Sequence, residues 1–214
     1  MEVYGLKSAR YPQTSAWQAW GRLEGGPSMP VPTLVAATGT LPLGRYECTE
    51  TEIRDAFVEH PDFASSVTRA NIWNDWETAR ETVTSIVTVH SVWVAGSFTT
   101  SKVDPGDMDV VFLVNGSEFD TLDPQEQAIV SLFGTGSQGA RKHGLQLDSY
   151  MIPWHCFPEP NPGRDQLQSN YYIARGYWDD FWLRSRSGPK GSPPVRQDAF
   201  PKRGYLEVKF RDYT

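Results

Sequence analysis

Residues 92–114 read VWVAGSFTTSKVDPGDMDVVFLV, two apolar runs separated by a Gly-Ser pair and an Asp-x-Asp pair. Val92, Trp93, Val94 and Ala95 lead into Gly96, and Met108 with Val110 to Val114 makes the second run. Both predict strands of a sheet covered on at least one face. Asp107 and Asp109 stand two residues apart, so strand alternation sets both carboxylates on the same face. Two anions about 7 Å apart on a sheet face repel, and burying them is costly without cations to offset the charge.

Mg²⁺ suits such a pair, because it takes hard oxygen ligands and is typically held by one or two carboxylates together with substrate phosphates. Gly96 lets the backbone approach a phosphate closely, and the following N–H groups and the Ser97 hydroxyl can donate to it. The layout therefore points to a nucleoside triphosphate with two metal ions, Mg²⁺ or Mn²⁺. The chemistry is attack on the α-phosphoryl group, one metal activating the incoming hydroxyl and the other stabilising the pyrophosphate leaving group. The plainer reading makes Gly96-Ser97 a simple turn, Pro105-Gly106-Asp107 a β-turn and Asp109 a solvated strand residue, since a lone Asp-x-Asp is common. Against it stands the apolar run Val110–Val114, which sets Asp109 beside a buried strand.

Gly96-Ser97 followed by Asp107-Met108-Asp109-Val110-Val111 resembles the signature of the DNA polymerase beta-like nucleotidyltransferase superfamily. The resemblance implies a third carboxylate on a later strand, and Asp148 within Leu145–Ile152 is the residue that matches it. It implies Asp107, Asp109 and Asp148 as metal ligands and catalytic residues, with Asp148 also helping to deprotonate an acceptor hydroxyl. Gly96, Ser97 and Lys102 are the candidate contacts to the triphosphate. A closer similarity rests on Leu41-Pro42-Leu43-Gly44, the Gly-Ser-Phe-Thr-Thr turn, the Pro-Gly-Asp-Met-Asp-Val-Val strand and a Trp-rich tail containing Arg and Gly. Together these look like a family of small, largely uncharacterised nucleotidyltransferase-like proteins of bacteria and their phages, over roughly residues 41–210. That similarity implies a fold and a metal site without a settled substrate.

The 214 residues suffice for one domain with a real core, and 39% hydrophobic with 21% charged residues is an ordinary globular profile. No apolar run approaches the roughly 20 residues that cross a membrane. Cys48 and Cys156 lie far apart outside any metal-type cluster, which suggests a reducing cytoplasm and argues against zinc. A net charge of −6 argues against general DNA or RNA binding, which depends on Lys and Arg neutralising phosphates. Lys102, Arg141, Lys142 and His143 flank the motif in sequence and could face a triphosphate, although the plainer and preferred reading of each is a solvated surface cation.

The expected fold is α/β (α+β), a small mixed sheet flanked by helices, with an irregular extension over residues 1–40 and the nucleotidyltransferase-like domain over 41–214. The extension is rich in Pro, Gly, Ser and Thr; Met29 is a candidate alternative start, and Trp17 and Trp20 are candidates to dock on the body. Thr49 and Glu52 predict a capping box ahead of a short helix. Ile72, Trp76, Ala79, Val83 and Ile86 predict an amphipathic helix leading into the first strand. Asp123, Pro124 and Glu126 predict another helix start.

In the aromatic-rich part, about 165–214, Trp178, Phe181 and Trp182 fit one helical face. They either form a platform stacking a nucleobase, with Arg184 and Arg186 near phosphates, or close the core, which is the preferred reading. Residues 204–210 alternate like a terminal edge strand. The acceptor of the transferred nucleotide stays open among RNA, a protein hydroxyl and a small molecule. A rival of another class is a catalytically silent binding module such as an antitoxin or regulatory partner. A second rival, a polymerase-like enzyme, calls for a basic groove that this acidic chain does not advertise.

Overall fold

The computed structural model describes residues 31–210 apart from 160, 162, 164 and 190. The possible start at Met29 and the docking of Trp17 and Trp20 lie outside the described residues. Helix α1, Glu50–Phe57, begins at the expected capping box: the Thr49 hydroxyl accepts from the Glu52 N–H at 3.2 Å and the Glu52 carboxylate accepts from the Thr49 N–H at 2.7 Å. Helix α2, Arg69–Ile86, buries Ile72, Trp76, Ala79 and Val83 on one stripe, with Ile86 half-buried at its end. It leads directly into β2, Val89–Ala95. Strand β3 is Met108–Asn115, and a short α3, Gly116–Thr121, follows it without a sequence signal that predicted it. Asp123 caps α4, Pro124–Leu132, through a second capping box with Glu126. Strand β4, Leu147–Trp154, and α5, Gln166–Trp182, complete the order around the site.

Five strands form one mixed sheet in the order β1-β5-β2-β3-β4, where β1 is Arg45–Glu47 and β5 is Tyr205–Lys209. Strands β1 and β5 run parallel, as do β3 and β4, and β2 is antiparallel to both of its neighbours. The alternation of side chains divides the core in two. Val92, Val94, Val110, Phe112 and Leu206 face α1, α2 and α4, with Trp76 stacked on Phe112 at 5.7 Å between ring centres. Trp93, Ala95, Val111, Leu113 and Ile152 face the other way, onto Tyr171 and Trp182 of α5.

One expectation is corrected here. The terminal strand is not at an edge: β5 lies between β1 and β2, with Tyr205, Leu206, Glu207 and Val208 all buried. Its acid made it look half-solvated, but the Glu207 carboxylate accepts from Trp93 Nε1 at 3.0 Å and pairs with Arg45 at 3.4 Å, so it is buried with partners. In the described end of the extension drawn to residue 40, Val35 and Thr40 pair across a turn, Thr40 bridges to Thr100, and Leu34 packs on the core.

Candidate functional site

Strand register decides which acids meet. Asp109 pairs in register with Asp148 across the parallel β3/β4 ladder, and with Ala95 across the antiparallel β2/β3 ladder. Neighbouring strands lie about 4.8 Å apart, so Asp109 and Asp148 emerge side by side on the face covered by α5. The end of β2 brings Gly96 to the same place. Gly96 has φ +78°, a conformation that suits glycine, and a Cβ there would overlap Oδ2 of Asp109. The glycine is therefore required twice, by its turn and by the carboxylate lying over it. Ser97 follows in a turn closed by Thr99 Oγ1 donating to the Gly96 carbonyl at 3.3 Å and Thr100 Oγ1 to the Ser97 carbonyl at 2.7 Å.

Asp148 Oδ1 is buried without a hydrogen-bond partner. Tyr150, two residues along the same face of β4, has its hydroxyl pushed up to about 12, first by burial, then by the charge and hydrogen bonding of Asp148 and by the charge of Asp109. Both carboxylates thus act on one phenol, which stays a proton donor throughout the neutral range. Asp107 lies one residue ahead of β3 and pairs with Arg141, from the 3₁₀ turn Ala140–His143. Among the described residues no three His, Cys, Asp or Glu side chains gather into a cation cage. The structure joins Asp109 with Asp148 and gives Asp107 a guanidinium partner.

Four further residues build the site, and sequence reasoning passed over three of them. Arg203 donates from Nη1 to the Gly96 carbonyl at 3.3 Å and from Nε to the Trp182 carbonyl at 3.2 Å, tying the end of α5 to the Gly-Ser turn. Burial lowers its pKa while the Asp109 charge opposes the shift. Arg69 is fully buried and donates to the carbonyls of Phe57, Phe98, Thr100, Lys102 and Val103, at 2.9, 2.8 and 2.9 Å for the first three. Its guanidinium lies 3.7 Å over the Phe63 ring, and burial lowers its pKa to about 10 against the raising effect of Asp104. Arg69 thereby fixes the loop that follows Ser97. Tyr150 could have been found by its spacing from Asp148; neither arginine had a motif to mark it. The fourth, Arg141, was a candidate for the triphosphate and stands against Asp107 instead. Lys102 is exposed, with its backbone held by Arg69.

Oxygen donors from Asp109 and Asp148, an orphaned buried Oδ1 and a backbone cradle at Gly96 fit a hard divalent cation, with Asp109 and Asp148 as the residues that would hold it, while Asp107 pairs with Arg141. A cavity of about 800 Å³ lies elsewhere, between β1, the start of α1 and the end of β5, lined by residues such as Glu47, Thr49 and Lys209 and none of these acids.

Fold and site together define a three-layer α/β protein with an acidic pair beside a Gly-Ser turn. The chain belongs to a family of unknown function (DUF6932), matched over residues 33–209. Comparison with curated proteins and with solved structures found no match to either. No helix among the described residues is long and apolar enough to cross a membrane.

Proposed function

We propose that the protein is a metal-dependent nucleotidyltransferase, moving a nucleoside monophosphate from a nucleoside triphosphate to an acceptor hydroxyl. The observation that carries this reading is the register pair Asp109–Asp148 set against Gly96: two neighbouring carboxylates repel, and the chain keeps them together where a side chain on residue 96 would not fit. Divalent ions, Mg²⁺ or Mn²⁺, held there would supply the Lewis acidity that such a transfer needs. The acceptor oxygen forms a bond to the α-phosphorus, the bond from that phosphorus to the bridging oxygen breaks, and pyrophosphate leaves. The hydroxyl proton goes to Asp148, whose Oδ1 has no hydrogen bond to give up. Tyr150, two residues along the same face of β4 and held neutral by burial, borders that carboxylate. Gly96 and the N–H groups of the turn after it hold phosphate oxygens, and Arg69 keeps that turn in shape.

Transfer of label from α-³²P ATP, CTP, GTP and UTP, with Mg²⁺ or Mn²⁺, into separated RNA, protein and small-molecule fractions tests the reading beside an Asp109→Asn/Asp148→Asn control. Label in one fraction and none in the control is the expected result and names the acceptor class. No label anywhere, with no metal-dependent nucleotide binding, transfers the assignment to a silent binding module.

A further inference from the structure

The aromatic face of α5 does not behave as one surface. Trp182 is fully buried, and Trp178 packs against the Tyr150 ring at 4.1 Å between centres, so these two close the core as expected. Phe181 does not join them. Phe181 is 46% exposed and Tyr177 57% exposed, one helical turn apart, with their rings stacked at 5.7 Å and only 9° from parallel. Trp178 stands edge-on to both, 83° from Tyr177 and 89° from Phe181, and holds the pair from beneath. Two large rings kept parallel and open to water leave substantial apolar area unburied, where burying it would stabilise the chain.

Their place relative to the acids is set from two sides. Tyr177 packs on Trp178 at 5.1 Å between ring centres, and Trp178 packs on Tyr150 at 4.1 Å, two residues from Asp148 on the same face of β4. At the other end of the pair, the carbonyl of Trp182, next to Phe181, shares Arg203 with the carbonyl of Gly96. The exposed rings therefore stand at the rim of the carboxylate pair and the Gly-Ser turn, on the only helix that covers that face among the described residues.

We propose that Tyr177 and Phe181 form the stacking shelf for the base of the bound nucleoside triphosphate, which makes the donor a nucleotide held at both ends, its phosphates by the turn and acids and its base by α5. This rests on the nucleotidyltransferase reading and goes further by assigning the base subsite. Stacking is tolerant of base identity, because every base has a π-face, so the shelf takes all four triphosphates and favours the fused rings of ATP and GTP.

The test is calorimetric titration of the full chain with Mn²⁺ and each of ATP, GTP, CTP and UTP, and with Mn²⁺ and inorganic tripolyphosphate, which has phosphates without a base. The variants are Tyr177→Ser/Phe181→Ser and, as a control one turn away, Ile173→Ser, a residue 70% exposed on the same helix. All three side chains are at the surface, so folding is checked simply by an unchanged melting temperature. The expected result is a loss on the order of tenfold or more in triphosphate affinity for the double variant, largest for ATP and GTP, with tripolyphosphate unchanged and Ile173→Ser like the parent. Equal triphosphate affinity in parent and double variant overturns the shelf while leaving the transferase reading intact. A change of sedimentation in either variant with nucleotide affinity untouched also overturns it, and marks the stripe as a protein-docking face. If neither triphosphate nor tripolyphosphate binds the parent with Mn²⁺, the underlying reading fails, and the shelf with it.

Discussion

At residue 96 two demands converge on one hydrogen atom. A positive φ alone costs a non-glycine residue about 1–2 kcal/mol, and here the added methyl also runs into Oδ2 of Asp109. Asp109 cannot simply step aside, because its strand is paired on both edges, to Ala95 and to Asp148. Gly96→Ala is therefore expected to lower the unfolding free energy by at least about 1 kcal/mol in urea denaturation and to weaken Mn²⁺ binding by displacing a ligand. A variant that loses stability and keeps full Mn²⁺ affinity would separate the turn from the acid site. The glycine and Asp109 were visible in sequence as a strand, Gly-Ser and acid-x-acid pattern, because alternation of two is a strict rule, whereas Asp148 came only from the resemblance and its register with Asp109 had no local signal. The pairing of Asp107 with Arg141 was not visible either, since it joins a strand start to a 3₁₀ turn more than thirty residues on, and no local period reports such a contact.

Elements are positioned here by side chains that reach across them. The loop from Phe98 to Val103 has little regular structure of its own, and its carbonyls are turned inward onto Arg69 at the start of α2. Removing the guanidinium leaves several carbonyls unmet in the interior, at about 1–3 kcal/mol for each one that water does not reach. Arg69→Met preserves the apolar stem and is expected to destabilise the protein by about 3 kcal/mol or more. It should also speed hydrogen exchange selectively across residues 97–103, with α5 and β5 unaffected. Uniform acceleration over the whole chain would mean that the loop has no stability of its own to lose. The helices that carried capping boxes, α1 and α4, were legible at their first residue, because each box satisfies otherwise unpaired N–H groups by a fixed spacing. Strand β5 was legible as a strand and misread as an edge, since its place in the sheet depends on β1 and β2, which lie far away in sequence. On α5 the helical period put Phe181 beside Trp178 and Trp182, whereas a 17-residue helix on one sheet buries a narrower stripe than three aromatics require.

For the molecule as a whole, the two free cysteines report opposite states of the same fold. Cys156 is exposed just beyond β4, whereas Cys48 is 4% exposed between β1 and α1, its N–H bonded to the Glu207 carbonyl at 3.0 Å. Burial first, then the charges of Glu52 and Glu47, push the Cys48 thiol up to about 12. The thiolate is the reactive form, so at pH 8 Cys48 is doubly protected, by burial and by protonation. Cys48 borders the cavity between β1, the start of α1 and the end of β5, yet its side chain belongs to the larger core, so exposing the thiol is expected to take the β1/β5 edge and α1 opening together with that core. Titration with a disulfide reagent at pH 8 is expected to modify Cys156 at once and Cys48 slower by on the order of a thousandfold or more, the factor set by a global unfolding free energy of about 5 kcal/mol or higher. Both should react together in 6 M guanidinium. The sign with pH follows from the raised thiol: the unfolded chain releases this proton first, so the contribution to stability is complete below an ordinary thiol pKa and is lost as pH rises toward about 12. Replacing Cys48 by Ser should flatten that alkaline loss. If Cys48 reacts as fast as Cys156 while the melting temperature is unchanged, the β1 edge opens on its own, and the sheet is two cooperative units where its contacts argue for one.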